Sequence, residues 1–183
     1  MALLKVLLFP DPRLRTVAEP VAQFDESLKR ITNDMLETMY EGSGIGLAAT
    51  QVNVHKRIIV IDISEHKDNP LILINPKLKK IVDPQKKSYP EGCLSVPGFY
   101  ENISRPKNIK VSTLNYNNEL IEIEASGLLS TCIQHEIDHL NGKLFVDHIS
   151  SLKRNRIEKK IVKLKKEGTL SSRENTPNYK SAT

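Results

Sequence analysis

The chain predicts an α+β fold, and three observations carry that reading. Several short apolar runs bounded by turn residues read as strands. One pair of runs flanks Asn115, Tyr116, Asn117 and Asn118 as a hairpin would. Helical spacing appears in separate stretches, without the strand–helix alternation of βαβ units. The expected architecture is small mixed or antiparallel sheets packed around a central helix, with a basic helix at the C-terminal end.

Asp25 is a good N-cap for a first helix bearing Leu28, Ile31, Met35 and Met39, which Gly42 and Gly44 end. Residues 57–62, Arg-Ile-Ile-Val-Ile-Asp, form a short apolar run suited to a buried strand. A second run over 71–74 is expected to stop at Asn75-Pro76, with a separate strand over 77–82. The hairpin arms fall at 109–114 and 119–125. The second alternates Ile121, Glu122, Ile123, Glu124, one face in and one face out. A helix over 127–140 follows, closed by Asn141-Gly142. Ser150 or Ser151 can cap a last helix to about residue 168, and the Ser/Thr/Asn-rich residues 169–183 read as a disordered tail.

The 183 residues suit one domain, with 1–150 as its body and 151–168 as a helix of the same domain. Charge is unevenly placed. The chain carries +5, but residues 153–167 hold eight basic and two acidic side chains, so the remainder is close to neutral at −1. A chain ending at Ser150 is therefore expected to keep its chemistry. Two cysteines, Cys93 and Cys132, are too few for a disulfide framework and suit a reducing cytoplasm. The apolar start is short, interrupted by Lys5 and followed by Pro10-Asp11-Pro12, so no targeting peptide or membrane span is expected.

Chemistry concentrates in Gln134-His135-Glu136-Ile137-Asp138-His139. A step of four residues turns a helix by about 400°, which puts His135 and His139 on one face within reach of one divalent ion. Glu136 lies beside that ion, where a carboxylate can take a proton from bound water. A third ligand is needed, and the soft candidates are the cysteines. Cys132 and His139 are seven residues apart, roughly 10 Å along the helix, too far for both to meet one ion at about 2.1–2.3 Å. Cys93, in a Glu91-Gly92-Cys93-Leu94-Ser95 loop, can approach from outside the helix. A third stretch, Gly44-Ile45-Gly46-Leu47-Ala48-Ala49-Thr50-Gln51, allows close backbone approach but is no phosphate loop, since no Gly-Lys-Ser/Thr follows.

These three stretches, in this order, resemble the peptide deformylase signatures G-x-G-x-A-A-x-Q, E-G-C-L-S and Q-H-E-x-D-H. The likeness runs from Pro10 through Phe145 into the basic helix and leaves out only the tail. The resemblance implies Cys93, His135 and His139 as ligands of Fe²⁺, with Zn²⁺, Ni²⁺ or Co²⁺ able to take the site. It implies hydrolysis of the formyl group of N-formyl-methionyl nascent peptides, with Glu136 moving protons. The Leu94 N–H and the Gln51 amide would hold the oxyanion. Ile45 and Gly46 would line the cleft, and Tyr89, Leu128, Thr131 and Cys132 the methionine pocket. It also implies ribosome contact through 151–168, with no DNA or membrane partner. One departure stands out: many members carry arginine seven residues after the ligand cysteine, where this chain has Tyr100. Two rivals are a zincin-type peptidase, whose third ligand would lie downstream near Asp147 or His148, and a non-catalytic RNA-binding module using the basic helix.

Overall fold

In the computed structural model, which describes residues 2–170, the 127–140 helix is the element the others pack around. The expected disorder of the tail concerns residues that, but for Thr169 and Leu170, lie outside the described ones. The helices are α1 (Glu26–Glu41), α2 (Gly127–Leu140) and α3 (Ser151–Lys166). The strands are β1 (Gly46–Ala48), β2 (Ile58–Ile61), β3 (Leu71–Cys93), β4 (Val96–Leu114) and β5 (Leu120–Ser126). They pair in sequence order as one antiparallel sheet. The fold is α+β as expected, with a continuous ladder.

β2 shows why its apolar run is unbroken. Ile58 and Val60 pack with Leu28, Met35 and Met39 of α1, while Ile59 and Ile61 pack with Ile133 and Leu140 of α2. Both faces are covered, so alternation disappears. Asp25 caps α1 as expected, accepting from the N–H groups of Ser27 (2.9 Å) and Leu28 (3.2 Å).

The predicted break at Asn75-Pro76 is where the structure differs most. The strand continues, because the register moves from Ile74↔Leu114 to Lys77↔Ser112. Two residues are thereby absorbed against one, and a proline costs no ladder bond in such a bulge. Asn75 takes a left-handed φ of 52° and anchors the bulge to Val21 through two hydrogen bonds of 2.8 and 2.9 Å. The Glu91–Ser95 stretch is likewise the end of a long hairpin: β3 finishes at Cys93 and β4 begins at Val96.

α3 is more than a charged surface. Ile157 and Ile161 are buried in a cluster with Leu7, Leu14, Cys93 and Phe145. Burial of each stabilises by about 1.5–3 kcal/mol, so a chain ending at Ser150 would lose that stabilisation and uncover the cluster behind Cys93. Among the described residues, no helix is long and apolar enough to cross a membrane.

Candidate metal centre and cleft

α2 presents His135 and His139 on one face, with their Nε2 atoms 3.2 Å apart. The hairpin end brings the Cys93 Sγ to 3.2 Å from the His139 Nε2. All three side chains are buried, and they form the one group among the described residues that could hold a metal. Bonds of about 2.1 Å to nitrogen and 2.3 Å to sulfur at tetrahedral angles separate ligand atoms by roughly 3.5 Å, so the triangle fits one ion with a position left open. Asp147 and His148, the downstream candidates of the peptidase reading, are engaged elsewhere: Asp147 with Arg15, and His148 with Asp138 at 2.8 Å.

The buried surroundings shift the protonation of these side chains. The Glu91 Oε2 lies 2.8 Å from the His135 Nδ1, an arrangement that holds a proton on Nδ1 and aims Nε2 at Cys93 and His139. Burial would raise the Glu91 carboxyl. Hydrogen bonds from His135 and Arg105 outweigh burial and hold it at about 2. Burial also opposes charge on His135, yet bonds to Cys93 and Glu91 push its pKa well up. His139 moves the other way, lowered by burial and by the positive charge of His135, Arg105 and Arg15. Phe145 lies beneath His135, ring centroids 6.3 Å apart and planes 22° from parallel.

A cleft of about 480 Å³, open mouth included, runs beside the triangle. Every predicted site residue except His139 lines it. One wall is Ile45 and Gly46. Leu128, Thr131 and Cys132 line it from the turns of α2 before His135, and Tyr89 lines it too, its hydroxyl near Gly127 at the start of that helix. Glu136 is buried against Gly46. A Cβ at Gly46 would come within 2.8 Å of the Cys132 Sγ and closer still to the Glu136 Oε1, so a larger residue there would push the carboxylate from its present position. Leu94 lies in the turn between β3 and β4, its side chain against Gly42 and Gly44. The Gln51 Nε2 donates to the Cys93 Sγ (3.3 Å) and the Ser95 Oγ (3.1 Å), while its Oε1 accepts from the Ala48 N–H (2.8 Å). Its amide is fixed beside the cysteine, and a bound carbonyl oxygen would have to displace Ser95 to receive it. Tyr100 packs its ring over Gly92, leaving no room for a side chain at that position.

Sequence reasoning quoted Glu91 and Asp138 within their motifs without giving either a role, and missed Arg105 altogether. The one available signal was the presence of two carboxylates within two residues of candidate ligands.

An HExxH helix facing a strand cysteine, with a carboxylate beside the triad in a cleft, defines the class as metal-dependent hydrolases. Comparison with known proteins then narrows it. The polypeptide deformylase family model matches residues 3–155. A peptide deformylase of Cellvibrio japonicus is 59% identical over 168 residues, covering 92% of this chain and 99% of the relative. One of Teredinibacter turnerae is 60% identical over 167 residues, covering 91% and 99%. The crystal structure of a peptide deformylase from Legionella pneumophila aligns with TM-score 0.86 at 45% identity, covering 93% of this chain and 99% of that one. That from Ehrlichia chaffeensis in complex with actinonin aligns with TM-score 0.85 at 42% identity, covering 91% and 99%. The chain belongs to the polypeptide deformylase family, enzymes that remove the N-formyl group from nascent polypeptides.

Proposed function

We propose that this chain deformylates N-formyl-methionyl nascent peptides with Cys93, His135 and His139 holding one divalent ion, Fe²⁺ in its native state and Zn²⁺, Ni²⁺ or Co²⁺ as substitutes. The observation carrying this reading is the buried thiol–imidazole–imidazole triangle with the Glu136 carboxylate in the same cleft. When bound, the ion supplies Lewis acidity to water and to the formyl carbonyl.

The rest is the work of the chain. Glu136 takes a proton from the attacking water and delivers it to the amide nitrogen as the C–N bond breaks, releasing formate and a free amino terminus. The Leu94 N–H and the Gln51 amide donate to the carbonyl oxygen as charge develops, each worth about 3 kcal/mol in such a role. Ile45 and Gly46 run along the extended peptide, and Tyr89, Leu128, Thr131 and Cys132 enclose the methionine side chain. Residues 1–150 carry the catalysis and 151–168 complete the same domain.

α3 adds a contact to the ribosome, a cytoplasmic polyanion. Lys153 and Arg154 are tied to Glu101 and Asp147, whereas Arg156, Lys159 and Lys166 are exposed and make no ion pair among the described residues. Their spacing puts them on one helical face, suited to phosphates.

Formate release from formyl-Met-Ala-Ser, with acetyl-Met-Ala-Ser as control and metal counted per chain, tests the reaction. Release from the formyl peptide alone with one ion per chain is expected; equal cleavage of both, or activity without metal, refutes it. Iron-loaded protein should lose activity in air within hours while nickel-loaded protein should not, since ferrous iron and its thiolate oxidise.

A further inference from the structure

We propose that Arg105 is a positioning residue that sets the distance between the cysteine strand and the histidine helix, an inference that rests on the metal-site reading above. Arg105 belongs to β4, has no place in the cleft, and is 6% exposed. Its guanidinium grips the Glu91 carboxylate with two bonds, through Nε to Oε1 and through Nη2 to Oε2 at 3.0 Å. Its third arm, Nη1, donates to the Asp138 Oδ2 at 2.8 Å. Glu91 lies two residues before Cys93 on β3, and Asp138 immediately precedes His139 on α2. One rigid plane therefore joins the strand that carries the thiol to the helix that carries the imidazoles.

Glu91 is itself bonded to the His135 Nδ1 at 2.8 Å, so the clamp closes a ring through strand, guanidinium, helix and ligand. A guanidinium is suited to this because its donors are fixed in one plane and can serve two carboxylates at set angles. A lysine ammonium at the same position would neutralise charge without fixing the angle. Burying an arginine between two carboxylates costs desolvation and is weak evidence for stability as such. Its geometric return is a preset bite for the three ligand atoms, and removal of such outer partners typically weakens metal binding by about 10–100-fold.

The helix arm makes the idea testable apart from the Glu91–His135 bond. Asp138 is 18% exposed, and Asp138→Ala cuts the clamp while leaving Arg105 on Glu91 and Glu91 on His135. Arg105→Lys keeps the charge and loses the fork. His148→Ala removes the other partner of Asp138 and serves as the control. Co²⁺ affinity would be measured by chelator competition, with the visible absorption bands of the Co²⁺ form, below the unfolding temperature of each apo-protein. Arg105→Lys and Asp138→Ala should each weaken Co²⁺ binding by about 10–100-fold and shift the bands, with His148→Ala unchanged. Asp138→Ala affinity within twofold of the parent, or an equal loss in His148→Ala, would overturn the clamp. A parent protein that binds no Co²⁺ would instead overturn the metal-site reading itself.

Discussion

Gly46→Ala asks how closely the acid–base group must sit to its partners. The added Cβ would fall 2.8 Å from the Cys132 Sγ and nearer still to the Glu136 Oε1, against 3.4 Å or more for ordinary contact. The carboxylate or the β1 backbone must therefore give way by more than about 0.6 Å. Neither moves freely: Glu136 is 3% exposed, and β1 is held to β2 by the Gly46↔Ile61 pairing. Displacement of a reacting group by about 1 Å can cost roughly 10²-fold in rate, or about 2.7 kcal/mol of barrier. The expected result is a fall in kcat of that order with the metal retained, since the three atoms nearest the new methyl belong to Glu136 and Cys132 and to none of the proposed ligands. Formate release and metal content measure both. The variant in a Glu136→Ala background should add little further loss, because the group it displaces is already gone. An unchanged kcat in Gly46→Ala would refute the close-approach argument.

Three further outcomes follow from the site. Cys93→Ala should lose metal and activity together, whereas Cys132→Ala should keep the metal and raise KM for formyl-Met peptides; a metal titration showing the reverse would overturn the ligand assignment. Glu91 is depressed to about 2 from an ordinary 4.5, so its contribution is fully present above pH 4.5 and fades as pH falls toward 2. Denaturant unfolding of apo-protein between pH 6 and 2 should show that decline, on the order of 3 kcal/mol, and Glu91→Gln should lack it. Charge reversal at Arg156, Lys159 and Lys166 should weaken ribosome co-sedimentation and flatten its salt dependence while short-peptide deformylation continues; unchanged sedimentation would leave α3 a solvated face.

Much of this site is local in sequence, and what is local was legible. α2 was readable to its ends because Gly127 and Asn141-Gly142 bracket a periodic run and because two histidines four apart imply one face. Cys93 could be preferred over Cys132 from helix geometry alone, and the cluster contains it. The long strands were not legible. Asn75-Pro76 reads as a stop, and only the pairing partner reveals a bulge that accommodates it. Arg105 looks like one more surface charge, since its partners lie 14 and 33 residues away. In α3 the stripe of Ile157 and Ile161 was visible, but not its target, the core behind Cys93 and Phe145.

The central claim is that Glu136 moves protons beside an ion it does not hold. Glu136→Ala, assayed for metal per chain and formate release on the same preparation, tests it most directly. One ion per chain with activity down by at least about 10²-fold is the predicted result. Loss of the ion, or activity within a few-fold of the parent with the ion in place, would contradict it.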